Sequence, residues 1–200
     1  MHLVRHGEVD NPRGVLYSRL PGFNLSERGV QMASLAAAAL PEGVTRLISS
    51  PLERAQQSAK PIAERFGLKI ETDIRVIEPH NQFQGKKMKL AVLNPKNWKH
   101  LTRPSQPSWG ESYTDVLNRM TDALTELWHE SDGEVAIVSH QMPIWITHLA
   151  AVGEPLKHNP ARRRCALSSI TSFELLDGRL VEVSYQDPAA ELLSVDKGAV

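Results

Sequence analysis

The feature that most constrains the fold of this chain is an alternation of short apolar runs with stretches of helical spacing. Apolar runs lie at residues 1–5, 44–50 and 134–139, and an amphipathic or apolar helical stretch follows each of them along the chain. Strands that alternate with helices are typical of α/β proteins, because parallel strands need long crossover connections. We therefore predict a three-layer α/β sandwich with a largely parallel central sheet and helices on both faces.

Local signals predict further element ends. Ser26 is placed as the N-cap of a helix through the alanine-rich stretch, and Ser112 with Asp115 at the start of "ESYTDVLNRMTDALTELWHE". A short strand is expected within residues 68–77, and a helix in "PIWITHLAAV". The segments "CALSSITSFEL" and "RLVEVSYQ" predict a final strand pair across a turn at Asp177-Gly178.

The stretch after residue 50 carries strong helix signals of its own. Ser50 is placed as N-cap, with Pro51 at the first helical position and Glu53 completing a capping box. Gly67 is expected to be the C-cap. Pro61 predicts a kink or a division within this helix.

Length and composition limit the classes of protein. Two hundred residues fit one domain, predicted over 1–185 with a cap or loop region inserted at 79–109 and a flexible tail at 186–200. The 23 basic and 23 acidic residues balance, so we expect neither nucleic acid nor membrane as a partner. A single cysteine and the lack of a signal-like or membrane-length apolar stretch predict a cytoplasmic protein. A homodimer through an edge strand is compatible with the sequence.

Cationic and imidazole side chains follow three of the predicted strands. Arg5 and His6 end the first strand, Arg54 lies in the first helical turn after the second, and His140 ends "VAIVSH". In open α/β sheets, ligands bind beyond the carboxyl ends of the strands. If these strands are neighbours, the four side chains form one cationic pocket.

Such a pocket suits a phosphomonoester. Arginine forks match phosphate oxygens, and a helix N-terminus adds backbone donors. A histidine held neutral by nearby cations is a competent nucleophile toward phosphorus. A carboxylic acid would then have to protonate the leaving alkoxide and later take a proton from the attacking water.

Each of these residues also has an ordinary structural explanation. Arg5-His6 is compatible with a polar turn, and His140 with a buried imidazole bonded to backbone. Arg54 is compatible with an ion pair to Glu53 or Glu64 on its own helix. A metal site is not indicated, because the chain has no HxH or HExxH spacing and one cysteine. We expect no metal and no cofactor.

Five segments in order resemble the histidine phosphatase superfamily, the phosphoglycerate mutase-like proteins. They are "LVRHGE", "LSERGVQMASLA", "LISSPLERAQQSA", "GES" and "VAIVSH", and the resemblance extends from residue 3 to about 175. It implies a phosphoglycerate mutase-like fold, with His6 as a nucleophile that forms a phosphohistidine and Glu78 in "DIRVIE" as proton donor. The groups implied to bind the phosphoryl group are Arg5, Arg54 and His140. Glu8 and Glu111 are the alternative acids.

The chain departs from the family pattern at several positions. Asn11, a candidate substrate-binding residue, comes six residues after Arg5, where the family often has an asparagine seven residues on. Gln141 replaces a glycine beside His140. Gln141 is expected either to contact phosphate or to restrict the pocket. The loop 16–24 aligns with the loop that covers the site in relatives. Two interpretations are open for Arg13, Tyr17 and Arg19: they contact the substrate, or they are solvated loop residues. The inserted region is expected to overhang the pocket and set substrate choice through Lys86, Lys87, Lys89 and Trp98.

The resulting prediction is a metal-independent phosphomonoester hydrolase of the phosphatase branch. A phosphoglycerate mutase-type phosphoryl transferase is the main alternative, although "GEVDNPRGVLYSRLPGF" does not fit the mutase pattern "RHGxSxWNxxNxFxGWxD". A phosphate-binding regulatory protein of the same fold, with little or no turnover, is the other alternative.

Overall fold

A computed structural model describes residues 1–87, 110–156 and 163–195 of the chain. These residues form one mixed sheet flanked by helices. The strands are β1 (His2–Arg5), β2 (Val44–Ser49), β3 (Ile70–Thr72), β4 (Glu134–Ser139), β5 (Ile170–Leu176) and β6 (Arg179–Gln186). The helices are α1 (Glu27–Ala39), α2 (Glu53–Phe66), α3 (Tyr113–Glu130) and α4 (Gln141–Ala151), with short 3-10 helices at Ile74–Val76 and Ala190–Val195.

The strand order of the sheet is β3-β2-β4-β1-β5-β6. The first four strands of the sequence are mutually parallel, whereas β5 and β6 are antiparallel to their neighbours. The predicted α/β class is therefore confirmed. Arg5 pairs with Ser139 and Ser49 with Val138, so β1, β2 and β4 end side by side. The residues that follow these three strands are thereby brought to one edge of the sheet.

Helices cover both faces of the sheet because the buried strands place alternate residues on opposite sides. Leu3 packs in a cluster with α3 and α4, while the next residue, Val4, packs in a cluster with α1 and α2. On the second face, the helices contribute small side chains such as Ala36 and Ala59, which let them lie close to the sheet. The resulting rigid layers fix the position of the strand ends.

Several helix ends agree with the sequence signals. Ser26 and Ser112 cap α1 and α3 by accepting from the backbone N–H of Gly29 and Asp115. Gly67 ends α2 in the left-handed conformation, at φ 65° and ψ 31°.

The start of α2 differs from the prediction. Ser50 is not its N-cap, because the helix begins at Glu53 and Leu52 occupies the capping position without a side-chain bond. The hydroxyl of Ser50 contacts His140 instead. The helix also runs without division through Pro61.

The structure describes parts of the inserted region 79–109 and of the predicted tail 186–200. Asn81 bridges to Gly110 across the base of the inserted region, and residues 88–109, with Lys89 and Trp98, lie outside the described residues. Within the predicted tail, Ala189 is buried in a cluster with Met32 before the 3-10 helix begins. No helix in the described ranges is both long and apolar enough to span a membrane.

Candidate active site

His6 lies immediately beyond β1, with its ring orientation set by a backbone bond. Its Nδ1 is 2.8 Å from the carbonyl oxygen of Gly7, so Nδ1 carries the proton and donates it. Nε2 therefore holds the lone pair, and the Nε of Arg54 lies 3.3 Å from it. The residue is only 2% exposed. Of the two ring nitrogens, Nε2 is thus the one with a lone pair, and it faces a guanidinium.

The protonation state of His6 favours nucleophilic attack. Burial first, and then the positive charges of Arg54 and Arg5, hold the pKa of this imidazole well below its usual 6.5. The ring is consequently neutral at physiological pH. A neutral imidazole with its lone pair on Nε2 is the form that attacks phosphorus.

Gly7 allows the loop after β1 to pack directly against α1. A Cβ at Gly7 would lie 2.3 Å from the carbonyl oxygen of Gly29, and a Cβ at Gly29 would lie 2.0 Å from the carbonyl oxygen of Glu8. The N–H of Gly7 also donates to Oγ of Ser58 in α2, at 3.0 Å. Close approach between backbones therefore requires glycine at both positions. These contacts bring the segments "RHG", "LSERG" and "RAQQSA" together in the structure.

Two buried arginines flank the histidine. Arg54 is fully buried; its Nη2 donates to the Ser18 carbonyl at 2.7 Å, and its guanidinium lies 4.7 Å from the centre of the Tyr17 ring. Arg5 is 4% exposed and donates through Nη1 to the Cys165 carbonyl at 2.6 Å. Within the described ranges, the Nη1 of Arg54 and the Nε of Arg5 have no hydrogen-bond partner. Both guanidinium groups thus keep buried donor capacity that suits an anion.

His140 is the second imidazole of the site and precedes the first residue of α4. Its ring centre lies 5.1 Å from that of His6. Nε2 is 2.7 Å from Oγ of Ser50, whereas Nδ1 is buried and has no partner in the part of the chain that the structure describes. Burial, followed by electrostatic interactions with Arg54, His6 and Arg5, holds its pKa well below 6.5. His140 is therefore also neutral.

Glu78 supplies a carboxyl group to the same site. Burial raises its pKa, and the positive charges of several arginines oppose that rise; they are Arg54, Arg5, Arg163 and Arg119. Its Oε2 is buried and has no hydrogen-bond partner among the described residues. A carboxyl with a raised pKa retains its proton to higher pH, which suits a general acid.

The two alternative acids are already engaged by protein groups. Glu8 accepts from Ser26 Oγ at 2.6 Å and pairs with Arg28. Glu111 forms ion pairs with Arg19 at 3.1 Å and Arg119 at 2.7 Å. These contacts favour Glu78 over both as the proton donor.

The loop residues predicted to contact substrate lie at different distances from the site. Tyr17 belongs to the site, because its ring lies 6.4 Å from that of His6 and stacks on Phe23. Arg19 donates from Nε to the carbonyl of Glu78 at 2.6 Å, so it holds the acid's backbone. The Asn11 amide closes a turn through two bonds to Val15, and Arg13 is exposed. Direct substrate contacts by these residues remain predictions.

Two residues of the site were not identified from the sequence. Arg163 donates to Oε1 of Gln141 at 2.7 Å, and its charge acts on Glu78. The basic run before Cys165 was the available signal for it. Ser50 was interpreted only as a helix cap, although the SS pair directly after a buried strand placed it at the same sheet edge as His140. Lys86 is exposed at the base of the inserted region.

Together these groups form a buried cationic pocket of two arginines, two neutral imidazoles and one carboxyl group. Among the described residues, no cluster of three His, Cys, Asp or Glu side chains has an arrangement that could hold a metal ion. The arrangement joins strand ends that are far apart in sequence and adjacent in the sheet.

The family assignment rests on sequence and agrees with this geometry. Residues 1–188 match the model of the histidine phosphatase superfamily (branch 1), and the chain belongs to this family. It is 47% identical over 195 residues to the uncharacterized protein Rv0525 of Mycobacterium tuberculosis, covering 95% of this chain and 96% of the relative. It is also 33% identical over 165 residues to phosphoserine phosphatase 1 of Hydrogenobacter thermophilus, covering 77% and 76% of the two chains.

Solved structures agree with the assigned fold. The chain is similar to the mycobacterial glucosyl-3-phosphoglycerate phosphatase Rv2419c in complex with VO3, with a TM-score of 0.75 and 28% identity. The similarity covers 92% of this chain and 96% of that chain. The protein is accordingly a phosphatase or phosphoglycerate mutase-like enzyme by family.

Proposed function

We propose that the protein is a metal-independent phosphomonoester hydrolase that works through a phosphohistidine on Nε2 of His6. The observation that carries this proposal is the environment of His6. Its Nδ1 is committed to the Gly7 carbonyl, its Nε2 faces Arg54, and its burial keeps the ring neutral. A small-molecule phosphomonoester is the substrate class that this nucleophile and the surrounding cations fit best.

In the first step, Nε2 of His6 attacks phosphorus and the bond from phosphorus to the leaving oxygen breaks. Arg5, Arg54 and His140 bind the phosphoryl oxygens, which stabilises the charge that these oxygens carry in the transition state. Glu78, in its protonated form, donates its proton to the leaving oxygen, so that an alcohol rather than an alkoxide departs. His6 is left phosphorylated and Glu78 ionised.

In the second step, water attacks the phosphohistidine. Glu78, now a carboxylate, takes the proton from the water as its oxygen bonds to phosphorus and the bond between Nε2 and phosphorus breaks. Inorganic phosphate leaves, and both His6 and Glu78 return to their starting forms. The arginines supply the electrostatic stabilisation throughout, which is why no metal is included in the proposal.

The proposal is tested by measuring phosphate release from a panel of phosphomonoesters in the presence of excess chelator. We expect turnover that persists with chelator and disappears in His6→Ala. His129→Ala is the matched control, because His129 is exposed on α3. Activity that is lost with chelator and restored by a metal would contradict metal independence. Phosphoryl transfer between phosphoglycerates that needs a bisphosphorylated primer would favour the mutase alternative instead.

A further inference from the structure

Ser50 contacts the imidazole of His140 through one of its two ring nitrogens. Oγ of Ser50 lies 2.7 Å from Nε2 of His140, and both residues are fully buried. The other ring nitrogen, Nδ1, is buried without a hydrogen-bond partner in the described ranges. The contact with Ser50 therefore decides which nitrogen of the neutral ring carries the proton.

The backbone of Ser50 is held firmly enough to give this hydroxyl one position. Its N–H donates to the Val138 carbonyl at 2.9 Å, in the strand that leads to His140. Its carbonyl accepts from Oγ of Ser49 at 3.1 Å and from Nε2 of Gln56 at 2.9 Å. Three bonds to three elements fix the residue just beyond the end of β2.

The contacts of the hydroxyl indicate the direction of its bond to His140. The N–H of Leu52 points to Oγ of Ser50 at 3.5 Å, so this oxygen already serves as an acceptor. Among the described residues, Nε2 of His140 is the acceptor within reach of the hydroxyl proton. If the hydroxyl donates to Nε2, the proton of the neutral ring must lie on Nδ1.

The needs of the ligand point to the same tautomer. A phosphoryl group presents only acceptor oxygens, so an unprotonated Nδ1 facing it would place two lone pairs together. A protonated Nδ1 would instead donate one hydrogen bond without adding charge. The positive charge of the site is already supplied by Arg5 and Arg54.

We propose that Ser50 is a positioning residue whose hydroxyl donates to Nε2 of His140 and thereby fixes the tautomer that donates from Nδ1 to the phosphoryl group. For its catalytic consequence, this inference rests on the proposed function. Its structural part concerns only the protonation of His140 and the binding of a phosphoryl-like anion.

The first test is the nitrogen NMR spectrum of the wild-type protein, with the His140 signals assigned through His140→Gln. We expect Nδ1 to be the protonated nitrogen. A spectrum with the proton on Nε2 overturns the proposal, and this result needs no variant of Ser50 to fold. Ser50→Ala should shift the ring toward the other tautomer, whereas Ser50→Thr, which keeps the hydroxyl, should restore the wild-type pattern.

The second test is the affinity for inorganic vanadate, measured on the same proteins. We expect Ser50→Ala to weaken vanadate binding, and to lower kcat/KM, by about 10- to 100-fold. This is the loss seen in metalloproteins when a residue that orients a metal-binding histidine is replaced. Ser50→Thr should stay near wild type. Unchanged vanadate affinity in Ser50→Ala overturns the proposal.

Ser172→Ala is the matched control for removal of a serine from a serine–histidine pair. Oγ of Ser172 lies 2.8 Å from Nδ1 of His2, at the opposite end of β1, and is likewise buried. This variant should bind vanadate as the wild type does. Failure to hydrolyse any phosphomonoester would contradict the proposed function alone, because the tautomer of His140 and the vanadate affinity are read without turnover.

Discussion

Replacing Glu78 with Gln removes the proposed general acid while keeping the shape of the side chain. General acid–base catalysis contributes roughly 10²- to 10⁴-fold to rates. An alkyl phosphate, whose leaving alkoxide needs a proton, should therefore lose kcat by about that factor, or about 2.7–5.4 kcal/mol of transition-state stabilisation. An activated aryl phosphate, whose phenolate leaves unaided, should lose much less in the step that phosphorylates His6.

Burial gives the same variant an independent thermodynamic signature. The pKa of Glu78 is raised in the folded protein, so between the unfolded and folded values the native state binds more protons than the unfolded state. The ionised carboxyl therefore lowers stability increasingly as pH rises above its unfolded value. Glu78→Gln should consequently melt at the same temperature as wild type or higher at pH 7, and the difference should shrink in acid.

The assay compares single-turnover release of alcohol from alkyl and aryl phosphates in wild type and Glu78→Gln, with melting curves at two pH values. Glu111→Gln serves as control, because its carboxylate is bound by Arg19 and Arg119. Equal losses on both substrates would refute the assignment of Glu78 as the acid. Marked destabilisation at neutral pH would refute the account of its burial.

Three further predictions test other parts of the site. Gly7→Ala should destabilise the protein by about 1–3 kcal/mol in chemical denaturation, because the added Cβ would lie 2.3 Å from a backbone carbonyl oxygen of α1. Gly43→Ala is the control and should be tolerated, so similar losses of stability in both variants would contradict this reasoning. The lowered pKa values of His6 and His140 keep both rings neutral somewhat below pH 6.5, so neither ring should give kcat/KM an acidic limb near that value; a limb there that appears with alkyl and aryl phosphates alike would contradict this. Burial raises the pKa of the Cys165 thiol to about 11, so alkylation at pH 8 should be slow in the native protein and fast after denaturation.

Much of the fold was predictable because its signals are local. The apolar runs of β1, β2 and β4 are buried on both faces, and caps such as Ser26 and Gly67 act through their immediate neighbours. Arg5, His6, Arg54 and His140 could be assigned to one rim because the topology of parallel sheets brings strand ends together. These predictions needed only the periodicity of the apolar residues and the rule that ligands bind beyond the carboxyl ends of the strands in open α/β sheets.

The remaining features depend on contacts between distant segments. Ser50 has the sequence context of a helix cap, and its use by His140 becomes visible only when β2 and β4 are adjacent. Gly7 requires glycine because of Gly29, 22 residues away, and not because of its own turn. Gln141 gains its partner from Arg163, beyond α4. No local pattern encodes these pairings.

The central claim is that phosphate passes through His6, and trapping the covalent intermediate tests it most directly. Glu78→Gln, mixed with an activated aryl phosphate and quenched in base, should accumulate a phosphoryl adduct, because loss of the base slows attack by water. Peptide mass spectrometry should place this acid-labile adduct on His6, and it should be absent from His6→Ala. An adduct on another residue, or continued turnover by His6→Ala, would contradict the account.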